Sequence, residues 1–486
     1  MIGLLILGAY AAVLSGLVLY SLHRGWLLLT YRRTAKNAPK NGEWSGPLPA
    51  VTVQLPVYNE RHVVERLIDA VCDLDYPIEL LEVQVLDDSD DDTTDLARSR
   101  VAQHSGRGIR VEHLRRKGRT GYKAGALAFG MERAKGEFVL VLDADFVPPA
   151  DLVHRLLPSF ADSSVGMVQA RWGHLNESAS WLTRTQALIL DAHFLIEHGA
   201  RAAAGLFFNF NGTAGMWRAR CLRDAGGWQS DTLTEDLDLS YRAQMRGWRF
   251  VFLPHVVVPG ELPQSIRAFK GQQARWARGA IQTARKLLPG LLRGEWAWRV
   301  KLEAVAHLTA YVPSLLTLAL SVLVFPAAIV RLKHGWPLLL AADLVFFAAA
   351  VGPLCYFYAE TLRAAGRRAW PAVLVRVPLI LALGIGLSIN NSRALIAGLS
   401  SRASSEFVRT PKRGKAPHSY PARTSGWGTA AEAALATYVM VAVGFAFARG
   451  LYLSIPFLLL FLFGFATIAA GSVESEVRRR GVPARS

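Results

Sequence analysis

Four motifs, in chain order, have the residue types to do chemistry: Asp87-Asp88, Asp143-Ala144-Asp145, Thr234-Glu235-Asp236 and Gln272-Gln273-Ala274-Arg275-Trp276. Each acidic motif follows or flanks an apolar run, which places it at a strand end or in a loop beside a sheet. Carboxylates on either side of one residue, as in Asp143 and Asp145, are hard oxygen donors suited to Mg2+ or Mn2+ held against phosphate oxygens. Such a cation is a Lewis acid for a leaving diphosphate. Asp236 has the type of a general base, a role worth ~10²–10⁴-fold in rate, with Glu235 beside it. Asp87 and Asp88 can accept hydrogen bonds from a nucleobase or ribose, Tyr58 can stack on a base, and Lys123 can pair with phosphate. Gln272, Arg275 and Trp276 fall within about one and a half helical turns. Arg275 suits diphosphate, and Trp276 offers an apolar face to a sugar ring.

Each motif also has a plainer reading. Asp-x-Asp describes many solvated strand-end turns. Thr234 can be a helix N-cap followed by acids in the first turn. Asp87 to Asp92 can be a solvated acidic loop, and the last motif an interfacial helix with a Trp anchor and a snorkelling Arg. The order and company of the four motifs, rather than any one of them, favours chemistry.

The elements that must position these residues are legible nearby. Val51-Thr-Val-Gln-Leu-Pro56, Leu81-Glu-Val-Gln-Val-Leu86 and Phe138-Val-Leu-Val-Leu142 read as strands. Helical patterns cover Glu60–Cys72, Asp92–His104 and Ala124–Ala134. Strand–helix alternation predicts a parallel α/β sheet, and ligands bind such sheets at the carboxyl edge.

The chain has 486 residues, of which 51% are hydrophobic, and these are unevenly spread. Ile2–Leu22 is almost wholly apolar, close to the ~20 residues that span a bilayer. Basic residues follow this run rather than precede it, which predicts an uncleaved anchor with its N-terminus outside. About Pro49 to Glu261 is mixed and carries most of the acids. Pro263–Leu292 reads as amphipathic helices at the membrane surface. Spans are expected near Ala304–Val330, Pro337–Tyr358, Ala430–Ala448 and Leu451–Ala470. Pro371–Leu399, broken by Arg376, Pro378, Gly384, Gly386 and Asn390-Asn391 between two basic loops, reads as interfacial or re-entrant. The net charge of +17 sits largely beside apolar segments, at Arg24, Arg32, Arg33, Arg363, Arg367, Arg368, Arg402 through Arg423 and Arg478 to Arg480. That placement fits cytosolic loops on anionic lipid, not a nucleic-acid partner. Cys72, Cys221 and Cys355 are too few and scattered for a disulfide framework.

With Asp88, Asp143-Ala-Asp145, Thr234-Glu-Asp236 and Gln272-Gln-Ala-Arg-Trp276 in place, the chain resembles the processive family 2 glycosyltransferases, which include cellulose and hyaluronan synthases. Lys123-Ala-Gly-Ala-Leu127, Asp143-Ala-Asp-Phe146, Phe208 to Arg218 and Ala225-Gly-Gly-Trp228 bring it nearer the cellulose-synthase-like A group, the mannan and glucomannan synthases, and bacterial relatives. The resemblance implies an α/β GT-A (Rossmann-like) cytosolic domain inserted in an α-helical transmembrane domain. It implies inverting transfer of hexose from a UDP-glucose or GDP-mannose type donor to a growing β-linked polysaccharide that is then extruded, with Mg2+ or Mn2+ on Asp143 and Asp145. Catalysis would fall to Asp236, with Glu235 and Asp145. Donor binding would fall to Tyr58, Asp87, Asp88, Lys123, Asp143, Gln272 and Arg275, and acceptor binding to Trp276, Asn211 and Thr213. A membrane enzyme adding one sugar to a lipid would use the same acids. Phe407-Val-Arg-Thr-Pro-Lys412 is similar to the family's gating loop, with Arg409 in place of Val. Asn209-Phe-Asn-Gly-Thr213 replaces the Cys-containing motif of cellulose synthases and speaks against cellulose as product.

The expected layout is an anchor at 1–24, the GT-A domain at 48–262, interfacial helices at 263–296 and a membrane region at 302–486. That region contains the re-entrant segment 371–399 and the gating-type loop 400–424. The expected location is a plasma or inner membrane, crossed several times, with the catalytic domain cytosolic.

Overall fold

A computed structural model describes residues 1–34, 44–335, 338–367, 370–400 and 426–480. The gating-type motif Phe407–Lys412 lies outside them. Seven strands form one sheet: β1 (Val51–Val57), β2 (Leu81–Asp87), β3 (Val111–Leu114), β4 (Phe138–Val141), β5 (Val165–His174), β6 (Gly215–Arg218) and β7 (Arg249–Gly260). The helices of this region are α2 (Val64–Cys72), α3 (Thr93–Gly106), α4 (Tyr122–Met131), α5 (Leu152–Leu156), α6 (Trp181–Asp191), α7 (Gly199–Ala203), α8 (Ala219–Asp224) and α9 (Glu235–Gln244). Around them stand α1 (Ile2–Thr34), α10 (Ile266–Arg293), α11 (Trp298–Leu308), α12 (Val312–Lys333), α13 (Leu338–Ala364), α14 (Trp370–Gly386), α15 (Ser388–Ser400), α16 (Gly426–Ala448) and α17 (Ile455–Arg480).

The strand order is β3-β2-β1-β4-β6-β5-β7. The first four strands are parallel, as expected, but the sheet as a whole is mixed: β6 runs antiparallel to both β4 and β5. That reversal has a functional consequence. In a parallel strand the residues after it reach the carboxyl edge, whereas in β6 the residues before it do. Val141 pairs with Gly215, so Asn211-Gly212-Thr213 arrive beside Asp143. β5 and β7 are parallel to each other, and both end at the same edge.

Apolar side chains on the two faces make two cores. One packs Val53, Leu55, Leu67, Ile68 and Val85, the other Val139, Val141, Phe208, Phe210, Trp217 and Leu239. Full burial of each such side chain contributes about 1.5–3 kcal/mol. The polar alternation of β1 and β2 is not a solvent face. Thr52 donates to Glu82 at 2.6 Å and Gln54 to Gln84 at 3.0 Å, all buried.

Five described helices are long and apolar enough to cross a membrane: Ile2–Thr34, Val312–Lys333, Ala342–Ala364, Trp427–Ala448 and Tyr452–Glu474. The first runs ten residues past the expected anchor end at 24. The expected span from Ala304 begins instead at Val312, because Ala304 lies in the separate helix α11. The ambiguous stretch is a pair, Pro371–Gly386 and Ser388–Ser400, bent by 49°. Its first arm packs closely on α17, where a Cβ at Gly386 would lie 2.3 Å from the Gly464 carbonyl oxygen. Small residues permit such backbone approach. The expected amphipathic helices of 263–296 are one 28-residue helix, α10, followed by α11. Its apolar side, with Ala280, Ile281, Ala284 and Leu287, is covered by Leu237 and Tyr241 of α9 and Leu395 of α15.

Candidate active site

A cleft of about 1250 Å³, counting its open mouth, lies along the carboxyl edge. Tyr58, Asp88, Lys123, Asp143, Asp145, Asn211, Glu235, Asp236, Gln272, Arg275 and Trp276 all line it. Eleven of the thirteen residues singled out in the sequence are therefore brought together from seven elements and their loops.

Lys123 is the hub. It enters at the start of α4, behind Gly121 and Tyr122, whose φ of 72° and 49° turn the chain sharply into the helix. Its Nζ donates to Asp143 Oδ1 at 2.6 Å and to the Gly212 carbonyl at 2.9 Å, and lies 3.9 Å from Glu235 Oε1. Burial alone would lower the ammonium pKa, but Asp143 and Glu235 reverse this and hold it raised. Gly212, at φ +80°, is where a side chain would collide: a Cβ there would stand 3.0 Å from Asp236 Oδ2 and 3.3 Å from Lys123 Nζ. Glycine tolerates both the left-handed backbone and the approach.

Glu235 and Asp236 open α9. Asp236 Oδ1 accepts from the Leu237 backbone N–H at 2.8 Å. Burial first, and then the adjacent Glu235 carboxylate, push the Asp236 carboxyl up to about 7. Glu235 is also raised, chiefly by burial, against the pull of Lys123 and Arg275. These are the two classes of cause expected for crowded, desolvated acids. Thr234 precedes them but does not cap the helix with its side chain, contrary to expectation. It packs instead under α10, where a Cβ on Gly279 would come within 2.4 Å of Thr234 Cγ2. Gly279 thus lets α10 lie against α9 and brings Gln272, Arg275 and Trp276 over the acids. Asp238, also in this run, is fully buried in ion pairs with Arg242 at 2.7 Å and Lys286 at 2.9 Å. It joins α9 to α10 away from the cleft.

Asp143 and Asp145 sit just past β4. Asp143 remains a third exposed on its side chain, and its backbone N–H donates to Thr213 Oγ1 at 2.9 Å. Asp145 Oδ2 accepts from the Glu261 N–H at 3.2 Å. The donor set is all oxygen, with no group of three or more ligating side chains among the described residues. It fits a hard cation that takes one or two carboxylates from the protein and its other ligands from a substrate's phosphates and water.

Two expected residues stand outside the cleft. Asp87 is buried against His113 at 2.9 Å and accepts from the Ser89 N–H at 2.8 Å, so it organises the end of β2. Thr213 is fully buried behind Asp143. Asp88 lines the cleft but is already engaged, receiving a fork from Arg116 at 2.8 and 2.6 Å. Arg116 also donates to the Thr120 and Tyr122 carbonyls, so Asp88 shapes the turn that delivers Lys123. Arg119, Trp172, His174 and Glu261 line the cleft too without having been singled out. Arg119 lies over the Tyr58 ring, 3.3 Å from its centroid. The basic run Arg115 to Arg119, just ahead of Lys123, was a usable signal for it. Trp172, His174 and Glu261 end β5 and β7, strands that carry no acidic motif.

Residues 49–279 match a family model described as glycosyltransferase like family 2. The chain is 38% identical over 291 residues to glucomannan 4-beta-mannosyltransferase 1 of Oryza sativa subsp. japonica, covering 58% of this chain and 56% of that one. It is 40% identical over 256 residues to glucomannan 4-beta-mannosyltransferase 2 of Arabidopsis thaliana, covering 52% and 48%. The chain thus spans about half the length of the curated relatives it matches. Among solved structures it is similar to a mannosyltransferase from Pyrobaculum calidifontis in complex with GDP-Man and Mn2+. The TM-score is 0.53 and the identity 23%, over 75% of this chain and 99% of that one. That likeness supports the fold.

Proposed function

Because residues 49–279 match the family 2 glycosyltransferase model and the chain is similar to glucomannan mannosyltransferases over about half their length, we propose that it is a membrane-embedded, inverting hexosyltransferase of that family. It extends a β-linked polysaccharide from a nucleotide sugar and passes the product through its own helices. The carrying observation is that Asp236, Lys123 and the Asp143/Asp145 pair meet in one cleft beneath Trp276. The plant relatives are named for transferring mannose, and the solved relative holds GDP-Man with Mn2+. These favour a GDP-mannose type donor over UDP-glucose.

In this reading Asp236 takes the proton from the acceptor hydroxyl, a task for which a carboxyl near 7 is well poised. Asp143 and Asp145 would hold Mg2+ or Mn2+, which neutralises the leaving diphosphate. Lys123 and Arg275 add positive charge at the same place. Tyr58 and Asp88 face the nucleoside, with Arg119 beside them. Trp276 and Asn211 face the acceptor sugar. The density of basic residues in the segments that flank the apolar runs supports a cytosolic catalytic domain.

The test is incubation of the purified protein in detergent with radiolabelled GDP-mannose or UDP-glucose, with linkage analysis of the product. A labelled, β-linked polymer is expected. Label that partitions wholly into the organic phase as a one-sugar lipid would refute the polymer reading.

A further inference from the structure

The three arginines between Arg115 and Arg119 use their donors differently. Arg115 Nη2 donates to the Ser89 carbonyl at 2.6 Å. Arg116 forks onto Asp88 and also donates to the Thr120 and Tyr122 carbonyls. Among the described residues Arg119 has neither a hydrogen bond nor a salt bridge, and its close contacts are with rings. Its Cζ lies 3.3 Å from the Tyr58 ring centroid and 5.0 Å from that of Tyr122. A guanidinium carries five N–H donors in a fixed fork, and here a half-buried one lines the cleft with those donors unspent.

Both partners in this stack are held in place. The Tyr122 N–H donates to the Arg119 carbonyl at 3.1 Å, and Arg116 grips two carbonyls of the same turn. Beside Tyr58, the Asn59 N–H donates to Ser89 Oγ at 2.9 Å. The Asn59 amide also exchanges hydrogen bonds with Asp90 at 2.7 and 3.0 Å. The other cations of the cleft answer different charges. Lys123 meets Asp143 and Glu235, and Arg275 stands in the field of Glu235, Asp143, Asp236 and Asp145. The carboxylates that act on Arg119 are Asp88 and Asp90. Arg119 thus belongs to the Tyr58 end of the cleft and not to the Asp143 end.

An aromatic ring is a platform for any base, because every base has a π face. A base stacked on this face of Tyr58 takes the layer that the guanidinium now holds. The guanidinium then moves within that layer to the rim of the base, where it meets an edge. A fork of two N–H groups needs two adjacent acceptors. Guanine presents O6 beside N7, whereas adenine sets an amino donor beside N7 and uracil offers O4 alone on that edge.

We propose that Arg119 selects the base of the donor: its guanidinium, stacked on Tyr58, forks onto the O6/N7 edge of a guanine that stacks on that ring. This rests on the reading above that the chain takes a nucleotide sugar, and it narrows the donor to a guanosine diphosphate sugar.

The test is calorimetric titration of the full chain in detergent, with Mg2+, by GDP, inosine diphosphate, ADP and UDP. Inosine diphosphate keeps O6 and N7 and lacks the 2-amino group. GDP and inosine diphosphate should bind alike, each about ten- to a hundredfold tighter than ADP, the scale of one bidentate pair. Arg119→Lys keeps the charge but not the fork. It should bring GDP and inosine diphosphate down to the ADP level and leave UDP affinity unchanged, which also reports a folded variant. Arg119→Gln should collapse the GDP-to-ADP ratio in the same way. A wild-type ratio retained in both variants would overturn the proposal. So would inosine diphosphate binding as weakly as ADP, which assigns recognition to an acceptor facing N1–H and the 2-amino group. An equal loss for all four ligands in Arg119→Lys would also overturn it and place Arg119 on the phosphates they share. Wild-type preference for UDP would overturn it and leave the transferase reading standing. Binding of none of the four would sink the nucleotide-sugar reading, and the proposal with it.

Discussion

On the proposed donor side of the cleft, Tyr58, Asp88 and Asp143 each stand one or two residues past the end of a parallel strand. Their relative positions follow from the pairing of β1 with β2 and β4, which aligns Val57 with Asp87 and Gln54 with Val141. On the proposed acceptor side, Asn211, Asp236 and Trp276 come from a loop before an antiparallel strand, a helix start and the middle of a long helix. The β4–β6 register places Asn211, but it does not extend to Asp236 or Trp276. Close contacts bring those two to it: Gly212 against Asp236, Gly279 against Thr234, and Lys286 against Asp238. A register is robust because it is spread over many backbone hydrogen bonds. A set of close approaches depends on a few small side chains, so single substitutions should expose the difference.

The largest effect is expected at the proposed base. Asp236→Asn keeps the shape but cannot accept a proton, and transfer should fall by ~10²–10⁴-fold with nucleotide affinity nearly unchanged. Initial rates and nucleotide binding measured on one preparation check this. With its carboxyl raised to about 7, Asp236 is protonated and idle below that pH. The wild-type rate should therefore climb as pH rises through about 7, and the residual rate of the Asn variant should lack that limb.

Lys123 touches both sides, through Asp143 on one and Gly212 and Glu235 on the other. Lys123→Met should weaken donor binding by about ten- to a hundredfold, the scale of lost charge-assisted hydrogen bonds, as read by titration with nucleotide sugar. An effect on acceptor KM alone would contradict its place as the hub.

Trp276→Ala should cost ~1–3 kcal/mol of sugar stacking, a scale taken from bases on aromatic rings. Shorter product on a sizing gel with donor affinity intact is the expected result. Unchanged product length would remove Trp276 from the acceptor path.

The smallest effect is expected at Gly279. Gly279→Ala places a Cβ within 2.4 Å of Thr234 and should destabilise the α9–α10 contact by about 1–3 kcal/mol, the usual cost of overpacking. Thermal unfolding and kcat should fall together. A matched Ala at Gly271, where nothing lies within 4 Å, should leave both near wild type.

The two sides also differ in how far they could be read in advance. β1, β2 and β4, with the helices after the first two and α4 ahead of the third, were legible because their apolar periodicity is local and their acids follow at once. β6 was not, because Gly215–Arg218 is only four residues long and its reversal is set by what it lies between. Asp87 and Asp88 look equivalent as a dipeptide. Alternation along an extended chain sends one side chain into the protein toward His113 and the other to the cleft edge. The amphipathic pattern of α10 announced a helix with a face to cover, but not that α9 and α15 would cover it.

The order of acidic motifs, the strand ends that carry two of them and the apolar lengths of the flanking helices are properties of neighbouring residues. Neighbouring residues alone determined them, because strand period, helix period and bilayer thickness all act over short stretches of chain. The tertiary structure decided which acids are shared with Lys123 and which are spent on Arg116 or His113, and it reversed β6. It also raised Asp236 by burying it beside Glu235. Desolvation and contact depend on what else is packed within a few ångströms, and those partners come from positions distant in the chain.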